Sequence, residues 1–308
     1  MPGFFQSKGF AYLLAILTTL AYTGWYIFFN MLASLKQGIY APIFPWFLIE
    51  AVSASLNLVA TKGNLHLYQY TDAVFPVVAG VLYAGANYLL YVVVVQMGLP
   101  FASSFASAEI IFFTLLLWLK KRYKKNLLRI VAGSTIIAAG LVVESAYIYN
   151  VKLVFNSELM ELGLLMAFVY GLATFFYYLS TVRIESKSAA NFYQQAAEVV
   201  LFGYLFISLR SSIPLPALNL SYFVLAFTVG FLLFVSFLLE TTMMKALEKF
   251  DESVVAKGYI LSDLQLLPLL AYAIYTMPSL WYLYTPGMLL ITLGMVVIYW
   301  RNPEMTSS

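Results

Sequence analysis

Residues 240–268 read ETTMMKALEKFDESVVAKGYILSDLQLLP. The segment leaves one very apolar stretch, turns through Glu248, Lys249, Asp251 and Glu252, and enters another that contains Lys257 and Asp263. An ionised side chain near the middle of a membrane span costs roughly 2.5–3.5 kcal/mol on insertion scales, so it persists where it faces a bundle interior or a wet cavity. Asp263 is therefore a candidate site residue. Its alternative is a buried acid hydrogen-bonded to a neighbouring helix.

The rest of the chain has the same character. Of 308 residues, 62% are hydrophobic and only 10% charged, with a mean hydropathy of +0.86. That balance belongs to a polytopic membrane protein and not to a soluble domain. Cysteine is absent, which excludes disulfides, thiolate metal sites and a cysteine nucleophile. His66 is the single histidine and falls in an expected loop, against a histidine-ligated metal or a histidine base. No catalytic residue, cofactor or metal ligand is expected. The apolar run that starts near Gly9 continues without a small-residue cleavage site and reads as a retained span.

A spanning helix needs about 20 mostly apolar residues. Ten segments qualify: 9–35, 40–60, 72–96, 98–119, 127–149, 158–182, 189–211, 220–247, 252–275 and 279–300. With the N-terminus inside, Lys8, Lys62, the basic cluster at 120–129 and Arg183, Lys187, Lys245, Lys249 and Arg301 fall on the inner side. Lys36, Lys152 and Arg210 fall outside. The positive-inside rule therefore predicts a multi-pass protein of the cell membrane with both termini cytoplasmic. The basic cluster reads as a topology determinant beside anionic headgroups, not as a nucleic-acid site.

A shift of half the chain length lays Gly133 on Gly287, Gly140 on Gly294, Ala102 on Ala256 and Glu109 on Asp263. Five spans per half force the second half to cross in the opposite sense. The expectation is an all-α membrane fold of ten transmembrane helices in two inverted five-helix repeats, residues 1–150 and 151–308, forming one membrane domain.

Small residues open span 4 as Gly98-Leu-Pro100-Phe-Ala102-Ser-Ser, followed by Ala132-Gly133 and Gly140 in span 5; span 10 repeats the pattern with Pro286-Gly287 and Gly294. With the ten-span layout, this resembles the drug/metabolite transporter superfamily, EamA-like members in particular. The resemblance implies a secondary transporter of amino acids, amines, sugars, nucleotide sugars or other metabolites. It implies a central cavity lined by spans 3, 4, 8 and 9, with span pairs 1–2 and 6–7 rocking as gates. The chain departs from the pattern in places. EamA-like members often put an acid directly before a proline in span 9, whereas Asp263 precedes Pro268 by five residues. Phe192-Tyr-Gln-Gln195 is similar to a motif of GDP-mannose transporters, but Ala256-Lys257-Gly258 is at best a remnant of its partner.

Polar residues near the span midpoints form stripes. Glu50, Ser53 and Asn57 share one face of span 2, and Asn191, Gln194, Gln195 and Glu198 one face of span 7. Span 3 offers Tyr83, Asn87 and Tyr91, span 8 offers Ser236, Glu240 and Thr241, and spans 4 and 9 offer Glu109 and Asp263. In hydrocarbon each such group needs a partner or water, and one shared cavity satisfies them all. Glu50, Glu109, Glu198, Glu240 and Asp263 cannot all stay ionised in a low-dielectric site, so some are expected to carry protons. Such a site suits proton exchange or an amine. It suits polyphosphates poorly, because those need several Arg or Lys. Lys257 either holds a substrate carboxylate or snorkels to the interface. Tyr83, Tyr91, Tyr193 and Tyr259 either box an amine or pack.

The expected function is secondary active transport of a small amine-bearing or zwitterionic metabolite, such as an amino acid, by alternating access. Asn87, Gln194 and Gln195 would orient the substrate, and protons are the candidate coupling ion. The alternative is a nucleotide-sugar or phosphorylated-sugar exchanger. The expected partners are the small-molecule substrate and the lipid bilayer, with no nucleic acid, in a monomer or homodimer.

Overall fold

The computed structural model describes residues 7–35, 40–62, 65, 70–120, 127–150, 157–184, 186–213, 220–247, 250, 252–279 and 281–299. Among these residues the fold is all-helical: α1 (Lys8–Ala33), α2 (Ile43–Ala60), α3 (Val74–Met97), α4 (Leu99–Ser107), α5 (Glu109–Leu119), α6 (Leu127–Asn150), α7 (Ser157–Arg183), α8 (Lys187–Ser208), α9 (Leu220–Leu247), α10 (Glu252–Asp263), α11 (Leu266–Thr276) and α12 (Trp281–Tyr299). Among the described residues, eight helical segments are long and apolar enough to cross a membrane. The exceptions are instructive. α8 is long but carries the polar stripe Asn191, Gln194, Gln195 and Glu198, all buried. The expected ninth span is two shorter helices, α10 and α11.

The exterior is apolar while the interior, though mostly apolar, also holds acids and amides: Leu128 is 82% exposed and Val200 71%, whereas Glu50, Asn57, Gln195 and Glu198 are buried. An apolar exterior with polar groups buried inside fits a lipid environment, where hydrocarbon and not water surrounds the bundle.

Local chemistry sets the helix ends. Ser7 caps α1 by accepting from Phe10 N at 3.2 Å, and Ser186 caps α8 by accepting from Ala189 N at 3.3 Å. Between α3 and α4 the chain reverses at Gly98, whose φ of 85° suits a residue without Cβ, and Pro100 follows in the first turn of α4.

Two of the cavity acids stand at helix interruptions. α10 ends at Asp263 and α11 starts at Leu266. Pro268 has no N–H to offer the carbonyl of Leu264, which accepts from Leu267 N at 3.0 Å instead. The terminal carbonyls of α10 find a donor on another helix: Thr19 Oγ1 of α1 donates to the carbonyl of Leu261 and, at 3.0 Å, to that of Ser262. The break between α4 and α5 is a single residue, Ala108, with Glu109 opening α5. No proline accounts for it, and nothing in the structure explains why the helix yields there.

The helices pack in antiparallel-style partnerships across the chain: α1 with α9, α2 with α8, α3 with α7, and α6 with α12. The α6–α12 seam is lined by glycines from both helices. A Cβ on Gly140 would lie 2.8 Å from the Gly287 carbonyl oxygen, and one on Gly294 would lie 2.6 Å from that of Gly133. Only glycine lets two helix backbones meet that closely.

Candidate functional site

A cavity of about 280 Å³ lies inside the bundle, and its wall takes residues from α1, α2, α3, α4, α5, α7, α8, α9, α10 and α12. All five acids expected from the sequence line it: Glu50, Glu109, Glu198, Glu240 and Asp263. Tyr83, Asn87, Gln194 and Gln195 line it as well.

Its deeper part is built on α2, α3, α7 and α8. Asn87 Nδ2 donates to Glu198 Oε2 at 3.0 Å, and Gln194 Nε2 donates to Glu198 Oε1 at 3.1 Å. Tyr170 donates to Asn87 Oδ1 at 2.6 Å, so both ends of that amide are fixed. Behind this layer Gln195 ties α8 to α2, donating to Ser53 Oγ at 2.7 Å and accepting from Asn57 Nδ2 at 2.9 Å. Glu50 faces Glu198, and its Oε2 is buried without a protein donor. Gln194 Oε1 is likewise buried without a donor. Hydrogen bonds thus hold Glu198 rigidly while two acceptors beside it stand open.

The shallower part gathers acids from three helices around the two breaks. Tyr22 donates to Glu240 Oε2 at 2.8 Å. Thr174 bonds the Tyr83 hydroxyl at 2.9 Å and approaches Glu109 Oε2 at 3.5 Å. Asp263 has Ser262 Oγ at 3.5 Å and the Tyr299 hydroxyl as donors. Lys187 is the one basic side chain among the described residues of the wall.

The cavity reaches toward one end of the bundle, where Leu117, Thr181, Lys187 and Tyr299 line it at the ends of their helices. The opposite end is filled. Trp25 stacks on Phe29 at 5.5 Å between ring centres, Phe29 meets Trp46 at 4.9 Å, and Trp46 stacks on Phe202 at 6.4 Å. Tyr91 closes on Phe29 at 6.0 Å. Offset and edge-on ring contacts of this kind add about 0.5–1.5 kcal/mol each beyond burial.

A solved crystal structure shares this fold. It is described only as "Crystal structure of protein", and it superposes with a TM-score of 0.59 over 95% of this chain and 98% of its own length, at 16% identity. That likeness concerns the fold alone. No protein-family model matches the chain, and no curated protein matches it.

Three expected residues sit elsewhere, and a fourth lies outside the described side chains. Tyr91 is buried in the aromatic end, where its hydroxyl donates to the Ala33 carbonyl at 3.3 Å. Tyr193 turns away from the cavity and donates to the Leu65 carbonyl at 3.0 Å. Lys257 is exposed on α10 and is not among the wall residues. Tyr259 belongs to α10, but its side chain lies outside the described residues. Conversely, the wall gains Tyr22, Trp25 and Tyr26 from α1 and Tyr170, Thr174, Tyr177 and Thr181 from α7. The α7 set recurs at intervals of four, three and four residues, a helical stripe that spacing alone could have revealed. One further acid, Glu144 of α6, is fully buried away from the cavity, with Ser104 donating to its Oε1 at 3.1 Å.

Proposed function

We propose that this chain is a secondary transporter that carries a small amine-bearing or zwitterionic metabolite across the cell membrane by alternating access. The observation that carries the proposal is the carboxyl-lined cavity, continuous toward one end of the bundle and stopped at the other by packed aromatic rings. A permanent pore would need both ends open. A cavity with one closed end is the arrangement of a protein that exposes its site to one side at a time.

In this reading the ten spans are α1, α2, α3, α4 with α5, α6, α7, α8, α9, α10 with α11, and α12, in two inverted repeats. The helix partnerships support it. Exchanging each span with its counterpart in the other half turns the α1–α9 pair into the α7–α3 pair and leaves α2–α8 and α6–α12 unchanged. Gly80 of α3 seats on the carbonyl of Gln194 in α8, and Gly230 of α9 seats on the carbonyl of Ile49 in α2, which is the same contact in the other half. With both termini cytoplasmic by the distribution of Lys and Arg, the cavity faces the cytoplasm and the aromatic end is the closed outer gate.

We assign Asp263, Glu109 and Glu240 as candidate proton sites. A phosphate-bearing substrate is disfavoured, because the described wall offers it Lys187 alone against five carboxyls. Uptake of a labelled amine into proteoliposomes under an imposed pH gradient tests the reading. We expect uptake to follow the gradient and Asp263→Asn to lower the initial rate about tenfold or more, equivalent to about 1.4 kcal/mol. Uptake that ignores the gradient, together with normal transport by Asp263→Asn, would falsify proton coupling at this site.

A further inference from the structure

The cavity acids fall into two stations, and their spacing can be read from the helices that hold them. At the inner station Tyr170 of α7 binds Asn87 of α3, which binds Glu198. At the outer station Thr174 of α7 and Tyr83 of α3 bind each other, and Thr174 reaches Glu109. From one station to the next α7 advances four residues (170 to 174) and α3 retreats four (87 to 83). At 1.5 Å per residue both helices give a separation of about 6 Å along the bundle axis.

The inner station is incomplete without a donor. Glu50 Oε2 and Gln194 Oε1 are buried, line the cavity and have no hydrogen-bond partner, and Glu50 faces a second carboxyl, that of Glu198. Asn87 and Gln194 already spend N–H groups on Glu198, so these two open positions are both acceptors, while the Trp25 indole N–H is an open donor on the same wall. An alkylammonium group brings three N–H donors and a positive charge, which is what two open acceptors and a carboxyl pair lack. Trp25 and Tyr26 line the same cavity.

A compact zwitterion fits less well. Its carboxylate would need a positive partner beside the inner station, and the described wall holds only Lys187. On α8 Lys187 precedes Glu198 by 11 residues (198 − 187), about 16 Å along the helix. An α-amino acid cannot touch both. A second ammonium group, by contrast, finds Glu109 one helical turn away, with Asp263 and Glu240 close enough to act on it electrostatically.

We propose that the cavity recognises a short aliphatic diamine, with one ammonium group at Glu50, Gln194 and Glu198 and the other at Glu109 and Asp263. The inference rests on the amine-transport reading and narrows its substrate class.

Calorimetric titration of purified protein with putrescine, cadaverine, butylamine and leucine at fixed ionic strength tests it. We expect putrescine or cadaverine to bind at least tenfold more tightly than butylamine, and leucine to bind no better than butylamine. Glu50→Gln and Glu109→Gln are each expected to bring diamine affinity down to the butylamine level. The comparison of ligands on the unaltered protein stands even if either variant fails to fold. Butylamine binding as tightly as the diamines would overturn the two-station inference and leave the amine reading intact. Tighter binding of leucine would overturn it in favour of a zwitterion. Binding of none of the four would overturn both the inference and the amine reading beneath it.

Discussion

Along the α6–α12 seam two helices meet backbone to backbone through Gly133, Gly140, Gly287 and Gly294, and α6 contributes no described residue to the cavity. At α4/α5 and α10/α11 the helices are interrupted, and an acid from each interruption, Glu109 or Asp263, stands on the cavity wall. In the first arrangement shape is what has to be matched, although Pro286 of α12, beside Gly287, offers its helix no N–H. In the second an acid stands on the cavity wall with room beside it for polar side chains. In a low-dielectric interior that room is where a charge can be held. The seam is a packing contact, and the breaks are where acids meet the cavity.

The contrast can be attacked at the seam. Gly140→Leu would drive a side chain into the Gly287 carbonyl, 2.8 Å from the new Cβ position. Overpacking typically costs about 1–3 kcal/mol and backbone collision more, so we expect loss of at least about 3 kcal/mol, read as a marked fall in thermal midpoint in detergent. A variant as stable as the parent would mean that the seam is looser than drawn. A smaller effect is expected at the α10/α11 break. Thr19→Val removes the hydroxyl that serves the Leu261 and Ser262 carbonyls while keeping the shape. Interhelical hydrogen bonds in membranes average about 0.6 kcal/mol with a maximum near 1.7, so stability should fall within that range. Uptake should fall further than stability, because α1 would no longer hold the end of α10 beside Asp263. Equal loss of both would make Thr19 an ordinary structural contact.

Periodicity revealed much of the wall. Glu50 with Ser53 and Asn57, and Gln194 and Gln195 with Glu198, announce one helical face each, and the structure turns those faces toward each other. Depth was not legible in the same way. Tyr83, Asn87 and Tyr91 share a stripe, but the last turn carries Tyr91 past the cavity into the aromatic end. The break after α10 is written in Pro268, whereas that at Ala108 has no residue that marks it. The stripe of α7 consists of Tyr and Thr alone, with no acid or amide to mark it among the many hydroxyls of the chain. Glu144 follows Gly140 and Leu141 by four and three residues, so no polar stripe leads to it.

We expect one water-accessible cavity to run from the Thr181 end of the bundle to the Glu50–Glu198 pair. The chain has no cysteine, so a single introduced thiol is the only labelling site. Thr181→Cys at the mouth and Gln194→Cys at the inner station can each be treated with a membrane-impermeant maleimide in folded protein. We predict that both react, Gln194→Cys more slowly, and that amine ligand slows it further. Reaction at Thr181→Cys with none at Gln194→Cys until denaturant is added would contradict the account, leaving the inner acids in a dry, closed core.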